Sequence, residues 1–116
     1  MTAIYLLIVT TLAEAPLGVV LLLSPPIISG LLLGVPLDAP SSIIVGRVAG
    51  AALLALGVAC WLARDDDSSR AARGLVAALL LYNCATIAIL THAGAVVGIA
   101  GVLLWPAVAL HLALAA

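Results

Sequence analysis

Apolar positions along the chain gather into four runs of about twenty residues, each long enough to cross the ~30 Å hydrocarbon layer of a bilayer as a helix. The first run predicts a helix from Ala3 to Leu23. Pro16 interrupts it, frees the carbonyl of Leu12 and should kink the chain. Ser24-Pro25-Pro26 ends it. The stretch from Ile27 to Val35 is apolar but too short to cross. It predicts a short helix lying at the membrane interface, with a re-entrant dip as the alternative. The next long runs predict helices from Ser42 to Ala63, from Ala71 to Thr91 and from Ala95 to Ala113, the last bent at Pro106. Arg64-Asp65-Asp66-Asp67-Ser68-Ser69-Arg70 is the one polar stretch. It reads as a solvated turn, with Ser68 or Ser69 capping the helix that follows. His92-Ala93-Gly94 reads as a tight turn. The expected fold is all-α: a polytopic membrane protein built as a four-transmembrane-helix bundle, with residues 1–116 forming one domain.

Composition agrees. The 116 residues are 66% hydrophobic and 8% charged, whereas a soluble domain is about a quarter charged. A net charge of −1, with four arginines and no lysine, excludes a basic patch for nucleic acid. The arginines do set an orientation. Arg64, Arg70 and Arg73 cluster around one turn and no basic residue marks the opposite ends, so the positive-inside rule places that turn and both termini in the cytoplasm. The Ala-, Leu-, Val- and Gly-rich composition, without Lys or Phe, resembles that of a GC-rich bacterium. The expected location is therefore the bacterial inner membrane. Ala13-Glu14-Ala15 has the form of a signal-peptide cleavage site. No basic residue precedes it, however, and the apolar run continues to Leu23, so a retained membrane helix is the preferred reading. Cys60 and Cys84 fall inside apolar runs and read as small buried thiols.

Lipid tails give helices little hydrophobic drive to associate, so close packing calls for small residues. Gly46-x-x-x-Gly50 with Gly57 marks one such face, and Gly94-x-x-x-Gly98 with Gly101 another. These faces serve contacts within the bundle or between copies of the chain.

Two of the runs carry an ionisable group. Glu14 falls halfway along the first helix and Arg47 a few residues into the second. A charge at membrane depth costs several kcal/mol unless it is paired, and marks a candidate functional position. Asn83 lies near the middle of the third helix, and Thr10 one turn from Glu14. These four predict a polar cluster in which Glu14 pairs with Arg47. The cluster either fixes helix register or lines a cavity for a polar or ionic ligand, or for a proton; the remaining alternative has Arg47 snorkelling to the outer headgroups and Glu14 protonated and unpaired. Tyr82 and Trp61 read as packing or interface aromatics, with a ligand contact as the alternative. Trp105, near mid-depth, needs a partner for its N–H and is a candidate member of the cluster.

His92 and His111 raise the question of haem or metal. About 16 residues of continuous helix would hold them roughly 24 Å apart along the axis, too far to share an ion in one chain. His111 therefore reads as an interfacial residue on the cytoplasmic side, with haem ligation across an oligomer as the distant alternative. Asp65, Asp66 and Asp67 read as solvated. No nucleophile–base arrangement, phosphate loop or zinc spacing is present, so catalysis finds no support and no metal is expected.

Arg47-x-x-Gly50-x-x-Leu53-Leu54-x-Leu56-Gly57, following a proline-broken apolar loop, resembles the DoxX-like group of small four-helix membrane proteins. The resemblance implies the four-helix architecture and marks Arg47 and Gly50 as typical of the group. It implies no cofactor beyond a quinone contact of the kind some members are associated with. Leu12-Ala13-Glu14 in a first helix is also similar to the small multidrug resistance transporters, which would make Glu14 a proton- and cation-coupling group. Arg47 and the strong orientation bias depart from that family. The expected function is an accessory or scaffold subunit, or a small-ligand-binding one. It would self-associate or join a larger membrane complex, with lipid as its surroundings. The alternative is a proton-coupled transporter of a small molecule or cation using Glu14.

Overall fold

A computed structural model describes residues 1–116. The chain is 81% helical and has no strand. Helices α1 (Ala3–Leu23), α2 (Pro25–Leu33), α3 (Pro40–Ala63) and α4 (Arg70–His92) are followed by a π-helical turn (Ala93–Val97) and then α5 (Leu104–Ala115). Three helical stretches are long and apolar enough to cross a membrane: α1, α3, and α4 with its π-turn. The surface fits that reading. Leu12, Leu23, Leu62, Leu81 and Val102 are 67–78% exposed, an arrangement that suits lipid and not water.

Each helix turns one stripe inward. On α1 it is Leu7, Thr10, Glu14 and Gly18; on α3 it is Gly46, Gly50, Gly57 and Cys60. Steps of three, four and seven keep such residues on one face. The two stripes meet at backbone distance. A Cβ on Gly18 would stand 2.6 Å from the Leu54 amide nitrogen, and one on Gly50 would stand 2.5 Å from that of Leu22. Gly57 faces Ala15, and Gly46 faces the Pro25 ring. The glycines of α3 thus lock α1 and α2 onto α3 within one chain. Below them Leu7, Cys60 and Leu79 form a small apolar core joining α1, α3 and α4.

Three boundaries differ from expectation. Pro25 and Pro26 do more than stop α1. They open α2 after the single residue Ser24, because a helix's first turn needs no amide hydrogen from its prolines. Pro40 opens α3 in the same way. The third difference is the largest. No turn forms at His92-Ala93-Gly94, and no continuous helix runs from Ala95 to Ala113. The α4 helix passes through a π-turn to Gly98, which takes φ +81° with open space around it and ends the run. Residues 99–103 are non-helical, and α5 begins at Leu104. Starting there places Pro106 in the first turn, where its ring does not break a hydrogen bond. Within a helix begun at Ala95 it would have clashed with the carbonyl four residues earlier.

The non-helical segment is held by backbone. Leu31 and Leu32, in the last turn of α2, accept hydrogen bonds from the amides of Leu103 (2.9 Å) and Gly101 (3.0 Å). Gly101 presses against the Leu31 carbonyl so closely that no side chain fits there. Gly94 packs under the Trp105 ring. Of the glycines expected to pack helices, Gly98 is the exception: it makes a turn. With 12 residues α5 is about 18 Å long and does not cross a bilayer alone.

Candidate functional site

The α1 stripe carries Glu14 into the middle of the structure, where it is 1% exposed. The groups that meet it come from α4 and α5. Tyr82 and Asn83 are neighbours on α4, about 100° apart around the helix, and so reach the site from two directions. The Tyr82 hydroxyl donates to Glu14 Oε2 at 3.2 Å. His111, in the buried stripe Leu104, Val108, His111 and Leu114 of α5, lies between them. Its ring stands edge-on to Tyr82, with centroids 5.5 Å apart. His111 Nδ1 is 2.7 Å from Asn83 Oδ1, and Nε2 is 3.9 Å from Glu14 Oε1.

This geometry assigns hydrogen-bond roles. An amide oxygen only accepts, so Nδ1 carries the proton donated to Asn83. Nε2 is left turned to the carboxyl, beyond hydrogen-bond distance but within charge-pair reach. A lone carboxylate in such surroundings would cost several kcal/mol. One proton shared between Glu14 and His111 removes the net charge, whichever of the two holds it.

Two further polar atoms are buried here without a partner, Thr10 Oγ1 and Asn83 Nδ2. By contrast, Thr11, one step round α1, donates to Leu7 O at 2.9 Å and lies 3.0 Å from Gly57 O.

Several expected members are elsewhere. Arg47 is exposed on α3 and makes no hydrogen bond or ion pair, so it does not pair with Glu14. The reason is rotational. Gly46 and Gly50 must face α1 and α2, and the residue after Gly46 points about 100° away from that face. Trp105 is 48% exposed and covers Gly94 instead of joining the cluster. His111 is the opposite case. Expected at the cytoplasmic interface, it is 6% exposed and is the group nearest Glu14 that can carry a positive charge. The break at residues 98–103 explains this, since a depth counted along one unbroken helix no longer applies.

On the α2 side of the cluster lies a cavity of about 220 Å³. Its wall is aliphatic, from Leu17, Leu21, Ile28, Leu31, Leu53 and their neighbours, except for Tyr82, Thr86 and His111. Two of those three polar side chains are the ones that touch Glu14. The charged turn at the other end of α3 is self-contained. Arg64 lies over the Trp61 ring at 4.1 Å and pairs with Asp65 at 3.5 Å, and Asp66 accepts from the amides of Ser68 and Ser69.

No family model, curated protein or solved structure matches the chain.

Proposed function

We propose that this chain is a small integral membrane protein that binds a largely apolar molecule with one polar head, in the cavity beside the Glu14 cluster. In this reading it is an accessory or scaffold subunit of the bacterial cytoplasmic membrane, with both termini inside and related to the DoxX-like group. It self-associates or joins a larger complex. Residues 98–103 and α5 together make the fourth crossing. The Leu31 and Leu32 carbonyls make this more tolerable in lipid, because they pair the amides of Leu103 and Gly101.

One observation carries the reading: a largely aliphatic cavity has Tyr82, Thr86 and His111 on its wall, and Tyr82 and His111 both face the buried Glu14 carboxyl group. Ligand sites have this composition, apolar with a few placed polar groups. Equilibrium dialysis of naphthalene against lipid nanodiscs carrying the chain, with empty nanodiscs as blank, tests it. The expected result is a saturable component that Ala107→Phe, which fills the cavity, abolishes. Binding that never saturates contradicts it.

A second reading, proton-coupled transport through Glu14, gains support from the position of Arg47. With no fixed cation beside it, Glu14 faces only groups that gain or share protons. Proton-driven uptake in proteoliposomes that survives Glu14→Gln would end that reading.

A further inference from the structure

We infer that the cavity takes a molecule with a hydrogen-bond-donating head: a neutral alcohol or phenol on an apolar body, in preference to an ether, a ketone or a carboxylate. This rests on the cavity reading above and adds the chemistry of the head group.

The argument counts donors. The Tyr82 hydroxyl hydrogen is given to Glu14 Oε2. With the shared proton on Glu14, His111 is neutral and its one N–H is given to Asn83 Oδ1. Both residues line the cavity, and what they retain is acceptor capacity: the lone pairs of the Tyr82 oxygen and of His111 Nε2. Thr86 both donates and accepts, and so favours neither kind of head. A head group that only accepts leaves Nε2 unsatisfied, whereas a hydroxyl satisfies it. Leaving a buried polar atom unpaired is the larger penalty, which is why such sites discriminate.

The gap between Glu14 and His111 points the same way. At 3.9 Å the two are too far apart to bond directly. Nε2, on the wall residue of the pair, therefore keeps its lone pair for a head group in the cavity. Charge then narrows the class. The wall carries no arginine or lysine, and Glu14 stands behind it, so an anion meets no fixed counter-ion. Size narrows it again. A cavity of about 150 Å³ accommodates benzene, and this one, at about 220 Å³, accommodates a larger ring system.

The test uses the full chain in nanodiscs with 1-naphthol, 1-methoxynaphthalene and 1-naphthoate as probes, each against empty nanodiscs. The naphthol is expected to bind roughly 3- to 10-fold more tightly than its methyl ether, the worth of one hydrogen bond. The naphthoate is expected not to bind saturably. His111→Phe is expected to abolish the difference between naphthol and ether while keeping the ring. A measurement on the unaltered chain stands beside these in case that variant misfolds. The ¹⁵N spectrum of His111 should show a protonated Nδ1 and an unprotonated Nε2, with Nε2 shifting when naphthol is added. Equal saturable affinities for naphthol and ether, or a ring protonated at Nε2, whether neutral or charged, overturn the donor rule and leave the cavity reading standing. Absence of saturable binding by every probe overturns both.

Discussion

His111 Nε2 stands 3.9 Å from Glu14 Oε1, across the seam between α5 and α1. The residues are 97 positions apart in sequence, and nothing in their local surroundings announces the contact. It turns one face of α5 into the molecule and gives the buried carboxyl a group that can share its proton.

If that sharing holds, the two residues are coupled in stability. Glu14→Gln and His111→Phe should each destabilise the protein in detergent, and the double variant should fall short of their sum. A coupling of about 0.5–3 kcal/mol is expected from a double-mutant cycle on unfolding. Strict additivity would mean that the pair is a coincidence of packing.

The α1–α3 seam makes a sharper demand. Gly18→Ala and Gly50→Ala would push a methyl group to 2.6 Å and 2.5 Å from backbone nitrogen. Each is expected to cost about 1–3 kcal/mol in thermal or denaturant unfolding, the usual toll of overpacking. Gly74→Ala on α4, where nothing lies within 4 Å, should be neutral or stabilise by up to about 1 kcal/mol.

Arg47→Leu should leave the Glu14 cluster untouched, because Arg47 contacts none of its members. The expected stability change is within about 0.5 kcal/mol, and the His111 ¹⁵N shifts should not move. A large effect on those shifts would restore the pairing that the geometry excludes.

Ser69 caps α4 by accepting from the Ala72 amide at 3.0 Å, and Ser69→Ala should cost about 1 kcal/mol. The same variant reads out on Asp66. Hydrogen bonds from the Ser69 side chain, and then from its amide, hold the Asp66 carboxyl below its ordinary range. A depressed carboxyl stabilises the turn above the unfolded pKa, and that support is lost as pH falls through the folded value. Ser69→Ala should raise the Asp66 pKa in a ¹³C-detected titration and shrink the acid-side loss of stability.

Helices α1, α3 and α4 were legible within a few residues, because length and hydropathy alone define a candidate span. Glu14 was legible too: a single carboxylate in such a run stands out against its background. The partner was not. In α5 the buried stripe of Leu104, Val108, His111 and Leu114 is flanked by residues just as apolar, so no periodicity separates a face turned to lipid from one turned to protein. The depth of His111 depended on whether the last run was one helix, and Gly98 with Pro106 broke it. For Arg47 the signal was present. The Gly46-x-x-x-Gly50 spacing that marks the packing face also rotates residue 47 off it.

The contact between α5 and α1 can be measured directly. Glu14 is the chain's one glutamate, and His111 is one of two histidines, so selective ¹³C labelling of Glu and ¹⁵N labelling of His in a His92→Gln background isolates a single pair. Solid-state dipolar recoupling in bilayers should place the Glu14 carboxyl carbon within about 5 Å of His111 Nε2, the 3.9 Å N···O separation plus one C–O bond of ~1.2 Å. Detectable His111 ¹⁵N signal with no dephasing from the Glu14 carbon would contradict the structure of the site and every role built on it.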